Sequence, residues 1–170
     1  MQKITFYKIF KTSFPLITTN IFIVSVFYYW FRDDLDFSED STFLLSLLIL
    51  ITILLLPQLI LILNHWNVNK DTQLTIYQNY IVLSINNKQI ILNEDTLKSW
   101  ELVGTSSKLI NSSIKFSLLD DLFYLKIELK EANKEIVLTS LLYSKIDTMF
   151  QQLFPNKRVE NRRKFYPLIK

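Results

Sequence analysis

Residues 43–63 form an unbroken apolar run, FLLSLLILITILLLPQLILIL, without a charged side chain. A helix of this length, rising about 1.5 Å per residue, is roughly 31 Å long and matches the ~30 Å hydrocarbon core of a bilayer. A buried core helix of a small domain is expected to have a polar face, and this run has none. The run therefore predicts a membrane-spanning helix over residues 43–64.

A second apolar stretch precedes this run. Residues 14–31, FPLITTNIFIVSVFYYWF, are also uncharged, although they include polar side chains such as Asn20. Aromatic residues that favour the headgroup layer lie at the ends of both stretches: Tyr28, Tyr29 and Trp30 at the far end of the first, and Trp66 just after the second. We expect a hairpin of two membrane-spanning helices, with a pair of buried core helices as the alternative.

The charged residues flank the two stretches unequally. Residues 32–42 hold one arginine and five acidic side chains, a net charge of −4, whereas residues 1–13 contain Lys3, Lys8 and Lys11 and no acid. Because lysine and arginine favour cytoplasmic flanks, we expect both termini in the cytoplasm and residues 32–42 as an acidic extracytoplasmic loop. Lys8 and Lys11 also resemble the start of a signal peptide, but no small-x-small cleavage site follows, so an uncleaved anchor is predicted.

The part of the chain after Trp66 has the composition of a soluble domain. It contains about a hundred residues, enough to bury a core of its own. Alternating apolar and polar residues predict strands at 73–78, 80–85 and 88–92, with Asn86 and Asn87 as a hairpin turn. Further strands are predicted at 97–102, 114–118, 123–130 and 135–139, and short strands in this order favour an antiparallel arrangement.

The apolar period then changes to that of a helix over residues 142–153. The members of its apolar stripe are Leu142, Ile146, Met149, Phe150 and Leu153. Thr139 or Ser140 is the expected cap, and Pro155 lies just beyond the end. We expect this stripe to cover the open end of the sheet rather than to bind a membrane surface or a partner.

Seven strands followed by one helix is the element order of the pleckstrin-homology (PH) superfold. With its opening NKDTQLTIYQNYIVLSINNKQIIL, its exit EIVLTSLLYSKIDTMFQQLFP and its close RRKFYPLI, the chain resembles bacterial PH-like membrane proteins in which a two-helix hairpin precedes the domain. The resemblance implies an α+β membrane protein, with two N-terminal transmembrane helices followed by a PH-like seven-stranded antiparallel β-barrel or sandwich (residues 65–155) capped by a C-terminal helix.

The same resemblance implies a protein-binding or scaffolding module at the cytoplasmic face of a bacterial membrane, with an unidentified protein partner. Phosphoinositide-binding PH domains carry lysines and arginines in the loop that joins their first two strands. This chain has Gln78 and Asn79 at that place. Inositol-phosphate recognition is therefore not expected.

The sequence offers no residue set for catalysis. Its one histidine, His65, stands between Asn64 and Trp66, where an interfacial anchor is the expected role. One glycine cannot build a glycine-rich phosphate loop, and without cysteine there is neither a disulfide nor a thiolate metal site. We predict a protein that is not an enzyme and has no metal or cofactor.

A basic tail, residues 156–170, is the first candidate functional region. The candidates for membrane or partner binding are Lys157, Arg158, Arg162, Arg163 and Lys164. Near an anionic leaflet each cation contributes ~1 kcal/mol of attraction. The alternatives are an acidic partner, nucleic acid, or a solvated tail that serves only the orientation of the hairpin. The neighbouring Phe165, Tyr166, Leu168 and Ile169 favour docking of this tail, because apolar residues tend to be buried.

The second candidate region lies within the predicted spans. Pro57 has no backbone N–H and is expected to bend its helix, and Gln58 adds an amide side chain. Asn20 falls in the same half of an antiparallel hairpin. We predict that these three residues pack the two helices together or contact a partner subunit in an oligomer.

A different function class stays open. Residues 124–155, in which strands lead into a Ser-Leu helix start, together with the basic tail, are similar to LytTR DNA-binding domains, and this implies a membrane-bound transcription regulator. A DNA-binding domain is expected to spread lysine and arginine over one face. Most positive charge here follows Pro155 instead, so nucleic acid is the less favoured partner.

Overall fold

Two long helices form the N-terminal part of the fold. Helix α1 spans Phe6–Phe31 and helix α2 spans Ser41–Asn69. Both are long and apolar enough to cross a membrane. Many of their apolar side chains are exposed, among them Ile21, Phe22, Leu48 and Ile53. This exposure does not fit a pair of buried core helices, which would cover such side chains with protein.

The computed structural model describes residues 1–31, 41–110, 118–130 and 135–170. The predicted acidic loop lies outside these residues except for Ser41 and Thr42, which belong to α2. Of the predicted strand at 114–118 only Leu118 is described, and it begins a 3-10 helix, Leu118–Asp121.

The first sheet contains four antiparallel strands in the order β1-β2-β3-β4. Their bounds are Gln2–Lys3 for β1, Thr72–Ile76 for β2, Ile81–Ile85 for β3 and Lys88–Leu92 for β4. Asn86 and Asn87, between β3 and β4, have φ of 49° and 64°. Asparagine tolerates this left-handed conformation well, so the predicted hairpin is confirmed.

The second sheet has the order β7-β6-β5-β8. Its strands are Leu97–Gly104 for β5, Tyr124–Leu129 for β6, Glu135–Thr139 for β7 and Arg158–Arg163 for β8. Strands β5, β6 and β7 are antiparallel neighbours, whereas β8 runs parallel to β5. A short helix α3, Ser106–Leu109, follows β5, and helix α4, Ile146–Leu153, connects β7 with β8.

The predicted seven-stranded antiparallel barrel is wrong. The described residues contain eight strands in two sheets, with one parallel pair and no closed barrel. Two sheets around a common core fit the predicted sandwich, the alternative to the barrel, better than the barrel. Strand β8 has the sequence RVENRR, which lacks the alternation that predicts a strand. It pairs because the connection through α4 returns the chain to the free edge of β5, and parallel pairs need such a long crossover.

Both sheets and α4 share one hydrophobic core. The core includes Leu74 and Leu83 from the first sheet, and Trp100, Leu125 and Ile127 from the second, all almost fully buried. The apolar alternation in β6 and the stripe on α4 are thus confirmed as core-facing, and α4 contributes Ile146, Met149, Phe150 and the following Phe154.

The predicted helix over 142–153 is shorter in the structure and has a different start. Helix α4 begins at Ile146 after Lys145, which provides no side-chain cap. Thr139 ends β7 instead. The Ser140 hydroxyl accepts a hydrogen bond from the Phe123 N–H and donates one to the Asp121 carbonyl. The predicted cap by Thr139 or Ser140 is therefore wrong, because long-range contacts engage the segment before the helix.

Candidate functional site

The end of α2 is attached to the second sheet through Asn69. The Asn69 carboxamide donates to the carbonyl of Val137 (2.8 Å) and accepts from the N–H of Thr139 (2.7 Å). A neighbouring strand forms the same kind of paired bond. Strand β7 is an edge strand, and Asn69 thus satisfies part of its free edge with a side chain that is almost fully buried.

A second asparagine on α2 repeats this arrangement with the C-terminal segment, residues 164–169. Asn64 donates to the carbonyl of Ile169 (3.0 Å) and accepts from its N–H (2.9 Å). Both asparagines therefore use donor and acceptor together on backbone groups. We name the region formed by Asn64, His65, Asn69 and the C-terminal segment the junction.

His65 lies at the centre of the junction. It is fully buried, and its Nε2 atom is 3.0 Å from the carbonyl oxygen of Pro167. Its ring meets the ring of Tyr124 edge-on, with centroids 5.9 Å apart. The sequence predicts an interfacial anchor at His65, and the structure places this side chain beneath the C-terminal segment.

Lys164 stabilises the turn of the C-terminal segment. Its backbone N–H donates to the carbonyl of Gly104 (2.9 Å) at the end of β5. Its ammonium group donates to the Tyr124 hydroxyl (2.9 Å) and to the Leu168 carbonyl (3.2 Å). The predicted membrane-binding cation is therefore engaged inside the protein.

Tyr166 contacts α2 further along the helix. Its hydroxyl donates to the carbonyl of Pro57, and its ring packs on a small cluster that contains Leu61 and Leu122. Partial burial raises the pKa of Tyr166 above its ordinary value, so its hydroxyl remains a donor at neutral pH. Docking of the C-terminal segment, which its apolar residues predict, is thus confirmed for Tyr166 but is wrong for Phe165, whose side chain is 91% exposed.

Helix α1 is attached to the domain as well. The ammonium group of Lys8 donates to the carbonyl of Leu142 (2.7 Å) and to the side chain of Gln2 (3.1 Å). The first turn of α1 therefore contacts the segment between β7 and α4. Both helices of the hairpin are joined to the domain by hydrogen bonds.

The basic residues of the predicted tail do not gather into one patch. Arg158 and Arg163 stand at opposite ends of β8, roughly 17 Å apart at about 3.3 Å per residue. Arg158 pairs with Glu160 at 2.7 Å, Arg162 lies 3.9 Å from Glu101, and Lys157 donates to the carbonyl of Glu94. Among the five predicted cations, Arg163 is the one whose exposed side chain forms no ion pair or hydrogen bond with the described residues.

Asn20, Pro57 and Gln58 are the residues predicted to pack the two helices together. Asn20 is buried, and its amide nitrogen donates to the Leu16 carbonyl (2.8 Å) one turn earlier in α1. Gln58 is half-buried. Pro57 lies inside α2 without ending it, and its carbonyl is the acceptor for Tyr166.

The outer face of the second sheet carries both signs of charge. Lys98 pairs with Glu128 (2.7 Å) and Lys126 with Glu135 (2.9 Å). The bonds from Lys98 and Ser99 hold the pKa of Glu128 below its ordinary value. Among the residues that the structure describes, no three histidine or acidic side chains are grouped so as to hold a metal ion.

The turn between β2 and β3 presents an exposed aromatic pair. Tyr77 and Tyr80 stack with ring centroids 4.5 Å apart and planes tilted by 12°. Both rings and the adjacent Ile76 are more than one-third exposed. Strand β2 begins just after α2, and this turn lies at its other end, about 15 Å along the strand.

Comparisons of the chain with protein-family models, curated proteins and solved structures find no match.

Proposed function

We propose that the chain is a non-catalytic binding or scaffolding module at the cytoplasmic face of a bacterial membrane. A two-pass hairpin anchors it, and both termini lie in the cytoplasm. The observation that carries this proposal is the attachment of both apolar helices to the domain, α2 through the junction and α1 through the hydrogen bonds of Lys8. The proposal includes a PH-like domain, which the order of β2 to β7 before α4 supports, whereas β8 after α4 departs from that order.

The junction supports a fixed orientation of the domain on the membrane. A flexible linker leaves a domain free to rotate, whereas Asn64 and Asn69 bond to two different parts of the domain. Lys8 adds a third attachment from the other helix. A domain held in this way presents the same surface to every cytoplasmic partner, as a scaffold requires.

The burial of the His65 side chain supports a role without catalysis. This side chain is the one histidine of the sequence, and general-base catalysis needs contact between the base and a substrate. His65 is covered by Tyr124 and by Pro167. The DNA-binding regulator remains the second candidate, and the glutamate partners of Arg158 and Arg162 do not favour it.

Photo-crosslinking in native membranes tests the proposal. A photoreactive amino acid at position 77 reports on the exposed β2–β3 turn, and the same amino acid at position 22 is the control on the exposed face of α1. We expect position 77, and not position 22, to yield one reproducible protein adduct. Adducts with DNA and with no protein would support the regulator, and the absence of any adduct specific to position 77 would contradict the scaffold.

A further inference from the structure

A polar cleft opens beside the end of α2. Its volume is about 630 Å³, within the range of small-molecule sites. The segment before α1, the segment after α2 and the β3–β4 turn line it. Its polar lining includes Lys3, Lys70, Asp71, Ser84, Asn86 and Asn87.

The register of the first sheet explains why these residues meet. Lys3 of β1 pairs with Gln73 of β2, and Gln73 pairs with Ser84 of β3. Residues directly opposite each other in neighbouring strands point to the same face of a sheet. Lys3, Gln73 and Ser84 therefore form one row across three strands, and this row is the floor of the cleft.

The chemistry of the cleft suits an anion that carries oxygen acceptors. Two lysines oppose one carboxylate, and the asparagine and serine side chains add hydrogen-bond donors. Lys3 and Lys70 are exposed and form no ion pair with any described residue. Their charges are thus available to a ligand.

The position of the cleft selects the class of ligand. Lys70 directly follows α2, and its ammonium group lies 5.8 Å from the ring centroid of Trp66. Phe6 and Tyr7 in the first turn of α1 are 83% and 69% exposed. Exposed aromatic residues at the end of a membrane span favour the headgroup layer, so the proposed membrane orientation puts the cleft at the depth of lipid phosphates.

We propose that this cleft binds the phosphate group of an anionic phospholipid headgroup in the inner leaflet. This inference rests on the membrane orientation in the proposed function. The cleft differs from the basic tail, since the residues that carry it come from the N-terminus, the end of α2 and the β3–β4 turn.

Native mass spectrometry of the full chain in a neutral detergent tests the assignment. The probes are phosphatidylglycerol and phosphatidylcholine with the same acyl chains. The cleft variant is K3Q/K70Q, and the matched control is K98Q/K145Q, which removes two exposed lysines elsewhere. At about fivefold for each lysine, the cleft variant should bind phosphatidylglycerol about 25-fold more weakly. Phosphatidylcholine binding and the control variant should not change.

Three results would overturn the assignment. The first is an equal loss of phosphatidylglycerol binding in the control variant, and the second is no loss of binding in the cleft variant. The third is full displacement of the lipid by micromolar glycerol phosphate, which would identify a soluble phosphate compound as the ligand. Extraction of membranes with alkaline carbonate tests the membrane anchor independently of lipid binding by the cleft. If the wild-type chain is extracted, the anchor is wrong, whereas a retained chain without headgroup preference refutes only the cleft assignment.

Discussion

Replacement of Asn69 by alanine should loosen the attachment of the hairpin to the domain. The change removes two hydrogen bonds, to Val137 and Thr139. Loss of the bond to the Val137 carbonyl costs about 1 kcal/mol, and the Thr139 N–H, a buried donor left without a partner, costs about 1–3 kcal/mol. We therefore expect a total destabilisation of about 3 kcal/mol.

The assay is thermal unfolding in detergent, followed by tryptophan fluorescence. In a background with W30F and W66F, the remaining Trp100 reports on the core that both sheets share. For a chain of this size, about 3 kcal/mol corresponds to a decrease in Tm of about 6–12 °C. N161A is the matched control, because Asn161 is exposed on β8, and its effect should stay within about 0.5 kcal/mol. If N69A unfolds within about 1 °C of its parent, Asn69 does not hold α2 on the sheet.

Four further changes test other parts of the structure. F150A removes a buried ring that packs edge-on against Trp100 and Phe154. The free energy of unfolding of the variant should therefore be lower by about 3–5 kcal/mol, and a decrease below about 1 kcal/mol would place the ring outside the core. N64A frees Ile169 and should accelerate hydrogen exchange in residues 164–169, and unchanged exchange there would contradict docking of that segment. Residue 87 has a positive φ, which glycine adopts easily and valine does not. N87G should therefore leave Tm nearly unchanged, whereas N87V should destabilise the protein by about 1–2 kcal/mol. Equal Tm values for the two variants would refute the left-handed turn. The pKa of the Glu128 carboxylate is lowered mainly by its bond to Lys98 and secondly by its bond to Ser99, so ionised Glu128 stabilises the fold above its ordinary pKa, and this contribution is lost as the pH falls through the lowered pKa. K98M should raise the NMR titration midpoint of Glu128. An unchanged midpoint would exclude the Lys98 bond as the cause of the lowered pKa.

Local patterns in the sequence predict much of the fold. The bounds of β4 and β7 match the predicted ones at 88–92 and 135–139, because both strands follow local turn and alternation signals. The two apolar helices are predicted for the same reason, since length and composition alone define them.

The junction is not predictable in this way. Asn69 and its partners are 68 and 70 residues apart in the chain, and Asn64 and Ile169 are 105 apart. Such pairs arise only when the domain folds back on α2. One local signal does exist, because asparagines at the end of an apolar helix are poor helix formers and indicate hydrogen bonds to other parts of the protein.

For the basic tail, the sequence predicts a feature that the structure does not have. Charge alone predicts a contiguous patch over residues 157–164, but a β-strand sends alternate side chains to opposite faces. Arg158, Glu160 and Arg162 therefore share one face of β8, where glutamates pair with both arginines. Charge density along the sequence does not show which cations remain exposed and unpaired.

The central claim is a hairpin that crosses the membrane twice and holds the domain in the cytoplasm. The chain contains no cysteine, so single cysteines introduced as D36C and N156C can be labelled without background. A membrane-impermeant maleimide should label D36C in intact cells, and N156C only after the membrane is permeabilised. Labelling of N156C in intact cells, or protection of D36C, would contradict the account.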